Sequence, residues 1–164
     1  MKSLSALFLA CCLAAPVAPA IADDQGVAAN LTSRVSQLVG RAHELVFNAM
    51  AYMGIPYHWG GARPETGFDC SGFVQYVVKQ AAGLVLPRSS FDQIQQGTAV
   101  AVEDLQAGDL VFFNTMRATA SHVGIYIGDN RFIHAPRRGK TVEIAEFTNA
   151  YWQARFDGAR RLPL

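Results

Sequence analysis

The sequence predicts a single α+β domain, on two observations. Helical periodicity is confined to the first half, where apolar residues recur at Leu31, Val35, Leu38, Ala42, Leu45, Val46, Ala49 and Met53. The second half is made of short runs rich in branched and aromatic residues with turn signals between them: Leu110–Phe113, His122–Ile127, Arg131–Ala135 and Val142–Phe147. Helices first and strands second imply helices packed on one side of an antiparallel sheet.

Each element carries its own signals. Gly54 stands at a C′ position and Pro56 bars continuation, so the first helix stops there. His43 within it reads as a surface or packing residue. Residues 55–68 hold Pro and Gly without periodicity and form a loop. A second helix starts at Cys70 with Asp69 as its cap, buries Phe73, Val74, Val77 and Ala81, and ends at Gly83. Ser89, with Asp92 three residues on, caps a short helix that Gly97 stops. Asn149–Ala154 reads as a turn of helix and Arg155–Leu162 as the last strand.

The N-terminus reads as an export signal. Met1-Lys2-Ser3 is followed by an apolar run to about Leu13, then Ala20-Ile21-Ala22 before two aspartates. The run is too short to span a bilayer. Cleavage after Ala22 leaves a short flexible lead-in over 23–30 and the domain proper over 31–164, in the periplasm or secreted. A second reading lipidates Cys11 or Cys12 and holds the protein at a membrane surface; the short apolar run before Cys11 favours plain cleavage.

The chain has 14 Lys and Arg against 13 Asp and Glu. Lys2 is the only charged residue among the first 22, so the remainder is balanced, and no strong field recruits nucleic acid or anionic membrane. No repeat or second domain is visible, and the expected state is a monomer.

Chemistry concentrates at Gly67-Phe68-Asp69-Cys70-Ser71-Gly72. After signal removal Cys70 is the only cysteine, and a leftover cysteine in an exported protein means an intermolecular disulfide or a reactive thiol. At a helix start, unpaired N–H groups and the positive end of the dipole favour a thiolate. Such settings bring a thiol to a pKa of roughly 3.5–7.5, so Cys70 is placed like a nucleophile.

A cysteine nucleophile needs a base, and His122 and His134 both lie in the strand region. Alternation puts His122, Gly124 and Tyr126 on one face, and Phe132 and His134 on one face of the next strand. A two-residue turn at Asp129-Asn130 with regular pairing would mismatch those faces. A three-residue loop, Gly128-Asp129-Asn130, shifts the pairing by one, brings both histidines to one face and sets Gly124 across from His134. The missing side chain at Gly124 then leaves room for the imidazole. A zinc site from Cys70, His122 and His134 is formally open, but no close-spaced ligand pair supports it, and no metal or cofactor is expected.

Taken in order, these residues resemble a known family. Ile55-Pro56-Tyr57-His58-Trp59-Gly60-Gly61 and Phe68-Asp69-Cys70-Ser71-Gly72-Phe73 are similar to the opening of NlpC-type cell-wall cysteine peptidases. Leu86-Pro87-Arg88-Ser89-Ser90, Gly108–Phe113, Ser121–Gly128 and Phe132–Pro136 resemble its later blocks. The resemblance implies a papain-like fold and hydrolysis of peptide bonds in peptidoglycan stem peptides, at D-glutamyl–diamino acid or cross-link bonds. It implies Cys70 as nucleophile, His122 as base and His134 as the residue that orients His122. Tyr57 matches the family tyrosine beside the cysteine, and with the N–H of Cys70 or Ser71 it is placed to hold an oxyanion. Asp69, Ser89 and Ser90 fall where relatives meet substrate. Trp59 reads either as a cleft residue or as loop packing, and Asp69 and Ser89 equally as helix caps. Two other functions fit the same residues: an amidase or acyltransferase using the same thioester, and a wall-binding module without catalysis, which would have no need of the triad.

Overall fold

The computed structural model describes residues 24–164, so the export signal, Cys11 and Cys12 lie outside the described residues. Helix α1 spans Asp24–Ala51, taking up residues expected as a lead-in. Among its described side chains, the apolar stripe is buried toward the C-terminal end. Leu45 and Ala49 are fully buried, whereas Val27, Leu31 and Val35 are each more than half exposed. Gly54 has φ +83°, and its N–H bonds to Val142 O at 2.9 Å, which turns the chain onto the sheet.

A tight loop follows, closed by the two-residue strands β1 (Ala62–Arg63) and β2 (Gly67–Phe68). Helix α2, Cys70–Ala82, is capped by Asp69, whose side chain accepts from Gly72 N, and ends at Gly83 in the left-handed region, φ +68°. Phe73, Val74, Val77 and Val78 form its buried face. Gly72 sits against Gly61 O so closely that a Cβ at position 72 would collide with it, and the loop is thereby pressed onto the first turn of α2. Helix α3, Ser90–Gln93, has Ser89 as its cap, accepting from Asp92 N as the sequence predicts.

Six strands make one antiparallel sheet: β3 (Thr98–Val100), β4 (Leu110–Phe113), β5 (His122–Gly128), β6 (Arg131–His134), β7 (Glu143–Glu146) and β8 (Phe156–Arg161). Their spatial order is β3-β8-β4-β5-β6-β7. The five strands expected in the second half are present, within a residue or two at their ends. The short strands β1 to β3 and a turn of 3-10 helix at Val102–Asp104 were not expected; each is too short to leave a period. One face of the sheet carries Phe112, Val123, Ile125 and Ile133 against α1 and α2. The other carries Val111, Phe113, Phe132 and Phe147, covered by Phe156 and by Trp152 of the one-turn helix α4, Ala150–Gln153. Both faces are therefore covered, which is why all of β4 is buried.

The β5–β6 hairpin has the expected register by a different device. Ile125 pairs with Ile133 and Tyr126 with Phe132, which sets Gly124 across from His134. The turn, however, is the two-residue Asp129-Asn130, both left-handed at φ 49° and 54°, as a type I′ turn requires. The extra residue is absorbed inside the strand, in a bulge between Tyr126 and Gly128. A Cβ on Gly124 would stand 2.6 Å from the Phe132 ring, 3.0 Å from Ile133 O and 3.3 Å from the His134 Cβ. The room left by Gly124 thus serves the ring of Phe132 first and the histidine second.

Gly124→Ala is expected to lower stability by about 1–3 kcal/mol, because neither the buried ring nor the backbone carbonyl can retreat. Urea denaturation checks this; an unchanged midpoint would mean the pocket yields.

Candidate active site

The site is assembled where the start of α2 meets the start of β5. Cys70 is partly exposed on the floor of a cleft of about 1320 Å³, whose walls include His122, His134, Tyr57 and Trp152. The backbone N–H groups of Val123, Ser71 and Cys70 each pull the pKa of its sulfur downward. The sulfur therefore lies beside the residue that follows His122, and two of its donors are the unpaired amides of a helix first turn.

The two histidines meet directly. His122 Nε2 lies 2.7 Å from His134 Nδ1, with both side chains buried. That contact leaves Nδ1 of His122 as the nitrogen free to face sulfur. For Nδ1 to accept a proton, the ring must carry its own hydrogen on Nε2, donating to His134 Nδ1. His134 then holds its hydrogen on Nε2, and that atom has no hydrogen-bond partner. With their facing nitrogens committed to each other, the pair does not converge on a metal; among the described residues no three His, Cys, Asp or Glu side chains do.

Trp152 completes the pair, and no reading of the sequence singled it out. Its ring stacks on His122, with centroids 5.6 Å apart and planes 23° from parallel, and meets His134 edge-on at 5.1 Å. It keeps water from the buried side of the imidazole pair. The only signal in the sequence was an aromatic three residues after Asn149, which caps α4 by accepting from Tyr151 N.

Asp69 does more than cap. Besides Gly72 N at 2.7 Å it accepts from Gly60 N at 3.0 Å and from both terminal nitrogens of Arg88, at 3.0 and 2.6 Å. Ser71 Oγ donates to Asp69 and accepts from Arg88. Ser90 is buried on the cleft wall, Ser89 is committed to α3, and Trp59 stands two-thirds exposed at the rim. Every residue predicted from sequence thus lines the cleft, Ser89 included, although its hydroxyl also caps α3.

A family model described as the NlpC/P60 family matches residues 54–161. The chain belongs to the NlpC/P60 family. It is 42% identical over 128 residues to murein DD-endopeptidase MepH of Escherichia coli, matching 76% of this chain and 47% of that protein. It is 47% identical to a gamma-DL-glutamyl hydrolase of Bacillus subtilis, over 71% of this chain and 28% of that one. The chain thus spans less than half the length of these curated relatives. Among solved structures, an NlpC/P60 family protein from Bacillus cereus has 39% identity and a TM-score of 0.68, over 73% of this chain and 39% of the other. The NlpC/P60 domain of the peptidoglycan hydrolase SagA has 37% identity and a TM-score of 0.64, over 74% and 98%.

In this NlpC/P60 domain the resting protonation differs from the expected thiolate. Burial, and then the neighbouring Asp69 carboxylate, push the Cys70 thiol up to about 11, against the pull of the three N–H groups. Burial pushes His122 down to about 4, and burial with the adjacent His122 pushes His134 well below its usual value. At neutral pH the site rests as a thiol beside a neutral imidazole. The helix end does not ionise the sulfur because burial outweighs it, with the Asp69 carboxylate adding in the same direction.

This sets the pH dependence of stability. His122 binds a proton near 6.5 when unfolded but only near about 4 when folded. Stability is therefore lost as pH falls through that window, by up to about 3 kcal/mol, with His134 adding in the same direction. The folded thiol keeps to about 11 a proton that the unfolded chain releases near 9.0. Stability is thus also lost as pH rises from there, by about 2–3 kcal/mol. Thermal midpoints of wild type and Cys70→Ala across pH test this: the alkaline loss should be smaller in the variant. An ionised resting thiol would instead leave the alkaline limb unchanged by the substitution.

Proposed function

We propose that this chain is a cysteine peptidase that hydrolyses peptide bonds in peptidoglycan stem peptides through a thioester acyl-enzyme. The observation that carries the reading is the sulfur of Cys70, partly exposed in a cleft that His122 also lines, with that imidazole oriented by a second one at 2.7 Å. As Sγ attacks the carbonyl carbon, its proton passes to His122 Nδ1, so the thiolate exists only as it is used. The oxyanion meets the N–H of Cys70 and the Tyr57 hydroxyl. Burial raises the Tyr57 pKa and keeps it a donor at neutral pH. The C–N bond breaks, and His122 gives its proton to the departing amine. Water then attacks the thioester, His122 takes the water's proton, and the acid leaves as the thiol is restored.

His134 would act through His122, holding its tautomer and stabilising the imidazolium by accepting from Nε2. The names of the relatives support the substrate class: a murein DD-endopeptidase on one side, and gamma-glutamyl peptidases on the other. These correspond to cross-link and D-glutamyl–diamino acid bonds. The cell wall lies outside the cytoplasmic membrane, which agrees with the N-terminal signal read from sequence. No helix among the described residues is long and apolar enough to cross a membrane. One chain supplies the whole site, which supports action as a monomer.

Mass spectrometry of muropeptides digested by the protein identifies the bond. Cys70→Ala is expected to lower cleavage by about four orders of magnitude or more while keeping the thermal midpoint near wild type at neutral pH. Turnover retained in that variant would remove Cys70 from its role. His134→Ala should lower kcat by about a hundredfold, and His134→Asn or His134→Gln by about tenfold, since an amide oxygen still accepts from His122. Equal losses in all three would argue against orientation by hydrogen bonding.

A further inference from the structure

We infer that the turn Arg137–Lys140 is a carboxylate-reading wall of the cleft, selecting stems that carry a free carboxylate on the leaving-amine side of the scissile bond. This rests on the stem-peptide reading above and adds to it which charge state of the substrate is chosen.

The cleft is lined by four cations, Arg88, Arg137, Arg138 and Lys140, and by only two carboxylates, Asp69 and Glu143. Both carboxylates are engaged: Asp69 with Arg88 at 2.6 Å, and Glu143 with Lys140 at 3.8 Å. Arg137 and Arg138 have no carboxylate within ion-pair distance among the described residues. A chain nearly balanced in charge therefore presents two uncompensated guanidinium groups in one groove. Guanidinium is the side chain whose planar donors match a carboxylate.

The turn is built rather than loose. Lys140 N bonds to Arg137 O at 3.1 Å, and Gly139 takes φ +81°. Tyr57 N bonds to Lys140 O at 2.8 Å, Pro56 bridges to Thr141, and Val142 N bonds to Ile55 O at 2.8 Å. The wall is thus stapled to the segment that carries Tyr57. The charge of Arg138 reaches the Tyr57 hydroxyl, lowering its pKa more than Arg88 does. The side of the cleft follows from connectivity. The turn continues the strand that ends at His134, the partner of His122, and His122 must stand over the departing amine to protonate it.

The test measures binding of uncleaved stem peptides to the Cys70→Ala protein by calorimetry, so it does not depend on turnover. The peptides come in three forms: all carboxylates free, the diamino-acid carboxylate and C-terminus amidated, and the glutamyl carboxylate amidated. Amidation on the leaving-amine side should weaken binding by about tenfold, an effect of the size expected for charge-assisted contacts. Adding Arg137→Gln and Arg138→Gln should bring those two affinities together and leave binding of the amidated form unchanged. Indifference to leaving-side amidation, a preference that survives both substitutions, or no binding of any form would overturn the inference. A preference that holds while the protein with Cys70 intact cleaves no stem would instead overturn the hydrolase reading and leave the carboxylate wall standing.

Discussion

One residue more in β5 than in β6 decides where the chemistry sits. Because side chains alternate across a sheet, shifting the pairing by one would send His134 to the face opposite His122. The bulge before Gly128 absorbs that residue, and the two imidazoles meet at 2.7 Å. The packing around them follows from the same register. Phe132 slides into the space over Gly124, and Trp152 closes on the rings from the outside. Loss of the bulge would turn His134 away from His122, which stays paired to Phe113 of β4.

Burial is the larger cause of the raised Cys70 pKa, and Asp69 adds to it. The same carboxylate that caps α2 also stands beside the sulfur, so the residue that marks the helix start in the sequence opposes ionisation of the thiol. Arg88 answers the carboxylate from the other side with two hydrogen bonds. The net effect is a rigid first turn with two free amides aimed at the cleft and a sulfur that keeps its proton. An activated cysteine is thus made by placing an acceptor for its proton, rather than by stabilising the anion beforehand.

Much of this was legible in the sequence because local signals were strong. The cap at Asp69, the stop at Gly83, the cap at Ser89, the five longer strands and the Gly124–His134 pairing all follow from spacing and turn chemistry. Three things were not. The turn type was misassigned because an Asp-Asn pair can close either loop length, and a bulge leaves no mark in composition. The charge state was misjudged because burial of the sulfur is a tertiary property, absent from a six-residue motif. Trp152 was overlooked because it reaches the site from a one-turn helix far along the chain, with no periodicity to announce it. The stripe on α1 gave the converse error: its period is helical, but Leu45 and Ala49 enter the core while Leu31 and Val35 stay more than half exposed.

A sulfhydryl that stays protonated until a peptide carbonyl arrives has a further consequence. Peroxide and exchange with stray disulfides attack through the anion, and susceptibility follows the anionic fraction. By holding that fraction low at rest, the shielded Cys70 resists such attack, and no other cysteine stands among the described residues. Its durability and its ionisation are then set by the same buried surroundings.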